Sequence, residues 1–447
     1  MKKAKNKQKF AKGLSKQVII NISKMKNEPN WMLQKRLQAY EIFCKLKNPK
    51  WGPNLDHINF NDYIYYATET NKTASKWEDV PNKIKKTFKK LKIAEAEAKF
   101  LSGVNNQFDS EVVYNKIQDE LKKNGVIFCN IEKAITICPD IVKKYFGKLV
   151  PASDNKYAAL NTAVWSGGSF IYIPKGVKLS KPLQAYFRIN TRSIGQFERT
   201  LIVVDDNAML SYIEGCTAPI YDKNNLHAAV VEVFVNKDAY CKYITIQNWS
   251  DNVLNLVTKR SIVKKNGIME WVDGNLGSKL NMKYPCTILN GEHAKANCIS
   301  IAIAHKDVIH DAGAKMIHLA NNTKSNILAK SIAHNGGRAD YRGLVRINRG
   351  AKNCQANVKC DTLLLDNHSS SKTIPLEIID DNSSFIKHEA KITQLDKEKE
   401  FYLSTKGFSK KQIKNMLSLG FLEPFSNELP MEYAVELNRL VNDDFYS

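Results

Sequence analysis

Between about residue 156 and residue 389 the apolar residues recur with a period of two, and this alternation constrains the fold more than any other feature of the chain. Runs rich in β-branched residues stand out at 170–173, 200–204, 229–235, 243–247, 268–272, 302–305 and 362–365. Polar turns separate them: DDNA (205–208), NKDA (236–239), KKNG (264–267), NGEHA (290–294), HNGGRA (334–339) and NRGA (348–351). The first turns are spaced by roughly 25–30 residues, within the range of solenoid repeats. Several close on Ala or Gly just before the next strand. Helix-prone stretches are nearly absent, which favours a β-solenoid over alternating strand and helix. An antiparallel sandwich built from hairpins gives a similar texture and is the competing fold.

The flanks read as helix. Residues 31–46 carry Trp31, Leu33, Leu37, Tyr40, Phe43 and Leu46 at helical spacing, ahead of Pro49. DVPN (79–82) predicts a helix start, and 109–121 places Val112, Val113, Ile117 and Leu121 on one helical face. Residues 66–77 read as a polar loop. After 390, Ser409 is the expected N-cap of KKQIKNMLSL, with Gly420 closing it. Pro430 opens a further helix with Met431, Ala434, Val435, Leu437 and Leu440 on its apolar positions. The predicted architecture is mainly β: a helical unit (1–155), a solenoid core (156–389) and a helical unit (390–447). Terminal helices also cover the open ends of such a stack.

Composition narrows the function. At 43% hydrophobic and 25% charged, the chain has the make-up of a soluble globular protein. No apolar run reaches the length of a membrane span, and the basic N-terminus lacks the apolar stretch of a secretory signal. The net charge of +22 comes mostly from dispersed Lys, not interleaved with aromatics. An A+T-rich genome gives that bias, and a nucleic-acid platform does not follow from it. Nine Cys, an odd count without any C-x-x-C, point to a reducing compartment and exclude zinc ribbons and ferredoxin-type runs. No phosphate-loop motif and no G-x-S-x-G occur, so neither ATP hydrolysis nor serine-hydrolase chemistry is expected of the chain itself.

Adjacent rungs of a solenoid lie about 4.8 Å apart, so residues one coil apart stack. With a coil of about 28–31 residues, Arg188, Cys216 and Gln247 form one ladder, and Cys360 sits beside His388 and Glu389. A thiolate near Arg188 would have a lowered pKa and could carry sulfur as a persulfide. Its plain alternative is a small buried apolar side chain. Cys360, His388 and Glu389 would offer sulfur, nitrogen and oxygen to iron. Neighbours in a strand face opposite ways, so His388 and Glu389 converge only if the chain bends near 390. His305, His310, Asp311, His318 and His334 form a His-rich stretch whose spacing fits no known metal motif, and packing is the simpler reading.

Taken in order, EPNWMLQKRLQAY (28–40), GGSFIYIPKGV (167–177), EGCTAP (214–219), QNW (247–249), CDTLLL (360–365), KHEA (387–390) and LPMEYAVELNRL (429–440) closely resemble the SufB side of the SufB/SufD family. That family serves the SUF system of iron–sulfur cluster assembly. The likeness runs from about residue 28 to the end. It implies a right-handed parallel β-helix between two helical parts, and a scaffold rather than an enzyme with its own turnover. The implied cargo is a transient iron–sulfur cluster, with reduced flavin as a candidate cofactor. The implied partners are a SufC-like ATPase on the C-terminal helices, a SufD-like protein or a second copy at the β-helix end, and a desulfurase system as sulfur donor. Cys216 matches the sulfur-entry cysteine. Arg188, Asn190, Gln247, Trp249 and Lys265 match positions along a sulfur tunnel. Cys360, with Glu389 and His388, matches the assembly site. Some relatives carry a Cys-rich motif in the N-terminal part, whereas residues 45–128 here contain no Cys.

A SufD-like subunit without its own cluster site is the nearest alternative. A carbohydrate-active β-helix enzyme needs paired carboxylates or a calcium-binding Asp cluster, and Asp is sparse in the strand region. The Lys and Asn bias suits an organelle-encoded copy in a plastid or apicoplast stroma, and equally the cytoplasm of an A+T-rich bacterium.

Overall fold

The computed structural model describes residues 8–68, 74, 101–189, 191, 193–218 and 224–446. Its centre is a β-solenoid of about 8 turns, and strand outweighs helix by 43% to 24%. Two sheets form the walls. One carries, in spatial order from the far end, Phe385–Gln394, Gln355–Leu364, Lys324–His334, Lys295–His305, Ile268–Gly277, Tyr240–Trp249, Met209–Thr217 and Leu183–Arg188, all parallel. The facing sheet is built in the same way from strands such as Arg199–Val204, Val230–Val235 and Val253–Val263. The seven runs read from the alternation all lie within or overlap these strands, and the parallel register excludes the hairpin sandwich.

The corners explain the turn motifs. Asn207, Asp238, Asn266, His293, Asn322 and Asn353 all adopt positive φ, between 55° and 61°. Asn and Asp tolerate this left-handed conformation best among residues with a side chain. Asn266 Nδ2 donates to Asp238 Oδ1 at 2.8 Å, which ties one corner to the next. The small residue after each turn is buried: Ala208, Ala239, Ala294. At Gly267 a Cβ would meet Val263 and the carbonyls of Asn236 and Lys264 at 2.9–3.0 Å. The corner therefore admits nothing larger without a shift.

The N-terminal part departs from the helical expectation. Residues 109–121 are not a helix. Gly103–Phe108 and Glu111–Ile117 form an antiparallel hairpin whose first strand pairs with Leu183–Arg188, and only Asp119–Lys123 is helical. The strand is buried on both faces at Val112, Val113 and Tyr114, so its apolar run lacks alternation and mimics a helix. The sheet therefore begins well before residue 156, and its last strand runs on to Gln394, past 389. The helix expected after DVPN lies outside the described residues, as does most of the 66–77 loop.

Helix Asn30–Lys45 forms where predicted, but it buries Met32, Arg36, Ala39 and Phe43. Arg36 is fully buried. It binds both oxygens of Glu28, at 2.6 and 2.8 Å, and donates to the carbonyls of Ala163 and Trp165. At the C-terminal end Ser409 caps its helix with a full capping box to Gln412. The helix does not stop at Gly420. It continues to Ser426 because Leu422 and Phe425 pack on Ile213, Ile244 and Val272, on the outer face of the first sheet.

One buried ion pair fastens the N-terminal part to the core. Glu232, on the facing sheet, pairs with fully buried Arg199 and accepts from the backbone N–H groups of Gly147, Leu149 and Val150 at 2.8–3.0 Å. Removing one member of such a pair leaves a buried charge. Glu232→Ala should lower unfolding free energy by about 3–5 kcal/mol in urea titrations, and a change below about 1 kcal/mol would contradict this role.

Candidate functional site

Side chains alternate across each strand, so one face of the first sheet lines the solenoid interior. Leu210, Tyr212 and Cys216 face inward from one rung and Cys241, Tyr243 and Trp249 from the next, all in one buried cluster with Cys298 and Cys360. Cys216 is in register with Gln247, as the spacing predicted, and both are buried. Trp249 lies on the same face, with its ring 4.8 Å from His227.

Charged groups accompany them. Cys216 Sγ lies 3.9 Å from Glu214 Oε1, and Tyr243 donates to Glu214 Oε2 at 2.5 Å. Burial and the neighbouring carboxylates of Glu214 and Glu198 push the Cys216 thiol well above its ordinary pKa, against the pull of Lys259 and Lys283. Burial also raises Glu214. Lys259, fully buried, donates to Thr245 Oγ1 at 2.5 Å and Asp273 Oδ1 at 2.9 Å. Lys283 reaches Gln247 Oε1 at 3.1 Å and Asp273 at 3.5 Å. Burial alone would raise Asp273, but the two ammonium groups outweigh it and hold the carboxyl at about 2. Asp273 Oδ2 and Gln247 Nε2 are buried without a hydrogen-bond partner among the described residues.

Register continues this lining toward the far end. Glu214, Thr245, Asp273, Ser300, Ala329 and Cys360 are successive in-register partners. Five rung spacings give a column of about 24 Å. Cys298 faces inward beside it, and Tyr341 enters from the other sheet, close to both Cys298 and Cys360. Burial pushes the Cys360 thiol up to about 12, with Tyr341 pulling the other way. Cys360 Sγ is 3.2 Å from His388 Nε2, and His388 Nδ1 is 2.7 Å from Glu377 Oε1.

Three predicted positions fall elsewhere, and a fourth is not described. Arg188 is in register with Thr217, one residue out of step with Cys216, so its side chain points to the opposite face of the sheet. Lys265 sits exposed at a corner, 3.8 Å from Glu292. Glu389 faces away from Cys360 and pairs with Lys359 at 3.2 Å, because Phe385–Gln394 is one continuous strand and no bend brings it round. Asn190 lies outside the described residues. The His-rich stretch gathers only in part: His305 packs its ring 5.8 Å from that of His334 and pairs with Asp251, while His318 bonds Thr323 and Ser325. Among the described residues no group of three His, Cys, Asp or Glu side chains is placed to hold a metal ion by itself. Glu214, Lys259, Asp273, Lys283, Tyr341 and Glu377 were not singled out from the sequence. The available signal was parity, since Asp273 is in phase with Met269 and Trp271, and Glu214 with Leu210 and Tyr212.

Residues 187–421 match the family described as SUF system FeS cluster assembly, SufBD core domain, and residues 21–185 match the SufBD protein N-terminal region. An iron–sulfur cluster assembly SufBD family protein of Staphylococcus haemolyticus is 54% identical over 431 residues, covering 96% of this chain and 92% of its own. One from Staphylococcus aureus strain MRSA252 is 54% identical over 430 residues, with the same coverage. These relatives are bacterial, and they lend no support to a plastid or apicoplast origin. Among the described residues no helix is long and apolar enough to cross a membrane.

The interior charges should be visible in stability. Burial lowers Lys283 to about 8, with Asp273 opposing, against 10.5 for the free side chain. Between those values the unfolded chain binds more protons than the folded one, so this group makes stability rise with pH over that window and lose the gain as pH falls through 8. Urea unfolding of wild type and Lys283→Met from pH 7.5 to 10.5 should show the wild type gaining relative to the variant. Parallel curves would contradict the burial of a charge there.

Proposed function

The chain belongs to the SufBD family of the SUF iron–sulfur assembly system, and from that premise we propose that it is the SufB-type scaffold on which the cluster forms. The observation that supports this reading is the continuous inward column from the Cys216 rung to Cys360. Sulfur enters when a donor persulfide gives its terminal sulfur to Cys216: the donor S–S bond breaks, the donor leaves as a thiol, and Cys216 becomes the persulfide. Attack needs the thiolate, and Glu214 is the group placed to take the proton. Lys259 and Lys283, both buried, favour anionic sulfur in the interior. Cys298 stands between the two ends, and Cys360 receives sulfur where His388 offers nitrogen to iron. Iron and the nascent cluster are substrate and product, not a resident cofactor.

Cys360 lies one strand from the end of its sheet, and Leu376, Ile379, Phe385 and Ile392 are exposed on the last rung. A SufD-like protein or a second copy of the chain suits that apolar end. Phe401, Met431 and Val435 are exposed on the C-terminal helices and suit a SufC-like ATPase, which would supply ATP turnover. The cytoplasm of a bacterium is the compartment that fits these relatives.

The test is anaerobic reconstitution with iron and sulfide, read by visible absorbance and Mössbauer spectra. Wild type should hold a cluster and Cys360→Ala should not. Cys216→Ala should hold one from free sulfide but fail when sulfur comes from a desulfurase persulfide. A wild-type chain that holds none would favour the SufD-like subunit.

A further inference from the structure

We propose that Glu377 is a positioning residue for the Cys360 site, holding His388 so that its Nε2 is presented to iron beside the thiol. This deepens the scaffold reading and rests on it. Three strands converge to make the arrangement. His388 is in register with Val358, two residues from Cys360 on the inward face, and Glu377 is in register with Val345 on the facing sheet. Val345 and Val358 both belong to the interior cluster, so Glu377 is turned inward although its strand lies at the edge.

The hydrogen bonding then fixes the ring. A carboxylate only accepts, so the 2.7 Å contact between Glu377 Oε1 and His388 Nδ1 places the proton on Nδ1. In the neutral ring Nε2 then carries the lone pair, and it faces Cys360 Sγ at 3.2 Å. A carboxylate behind an imidazole both orients the ring and raises its basicity toward a metal. Glu389, the carboxylate adjacent in sequence, is committed to Lys359 on the other face. A gap of about 10 Å³ lined by Tyr341, Val358, Glu377 and His388 opens at this point. The chain supplies two donors, sulfur and nitrogen, with Glu377 behind the nitrogen. Among the described residues no third His, Cys, Asp or Glu joins them to hold a metal ion, and the Tyr341 hydroxyl lies beside the thiol.

Cobalt(II) reports this directly, because thiolate ligation gives an intense near-ultraviolet band independent of cluster assembly. The full chain and its Cys360→Ala, His388→Ala, Glu377→Leu and Glu377→Gln variants are titrated anaerobically with cobalt(II), with circular dichroism melts to confirm folding. Wild type should show the band, and Cys360→Ala should lose it. Glu377→Leu should weaken the apparent affinity roughly 10–100-fold, toward that of His388→Ala, with an unchanged melt. Glu377→Gln, whose amide oxygen still accepts from Nδ1, should fall between. Wild-type affinity in Glu377→Leu, alongside a weakened His388→Ala, overturns the role of Glu377 and leaves the Cys360 reading standing. A band that is missing from wild type, or that survives Cys360→Ala, overturns the Cys360 reading and this proposal with it.

Discussion

In-register stacking of parallel coils is the constraint on which the rest of this structure depends. Within the strands, backbone N–H and C=O groups pair with the neighbouring rungs, so the register is held along the stack. With the register held, parity decides everything else. A residue faces the interior or the outer surface according to its partner one rung away, and a slip of one reverses it. Cys216 and Gln247 share the interior for this reason, and Arg188 is excluded from it by a single residue.

That rule places charge where a β-sheet core normally has none. Burying Asp273, Lys259 and Lys283 carries a large desolvation cost, which their mutual contacts offset. An apolar interior would be simpler to stabilise, so the retained charges argue for a chemical use. They lie along the column between Cys216 and Cys360, beside the path that the proposed transfer of anionic sulfur would follow. The outer face of the same sheet is apolar and covered by the C-terminal helix at Leu422 and Phe425. One sheet therefore separates an interior that carries thiols and charges from a packing surface.

Much of this was legible in the sequence. Alternation and turn spacing favoured the solenoid over a hairpin sandwich, and the family resemblance strengthened it, because corner residues such as Asn207 and Asn266 must tolerate positive φ and the next residue must be small. The Cys216–Gln247 stack and the Cys360–His388 contact followed from coil length. Three things were not legible. Coil lengths vary, with in-register partners separated by 26 to 32 residues, so spacing alone could not assign Arg188 to a face. The hairpin at 103–117 is buried on both sides, which erases its period. Glu377 reaches His388 across two sheets, and no local pattern announces a contact between facing walls.

The central claim is that sulfur moves through the interior from Cys216 to Cys360. It is tested most directly by loading the chain with isotopically labelled persulfide sulfur from a desulfurase and mapping the label by peptide mass spectrometry over time. The label should appear first on Cys216 and later on Cys360, and in Cys360→Ala it should remain upstream. Label that reaches Cys360 equally fast in Cys216→Ala, or that leaves Cys216 for solvent without appearing on Cys360, would contradict the account.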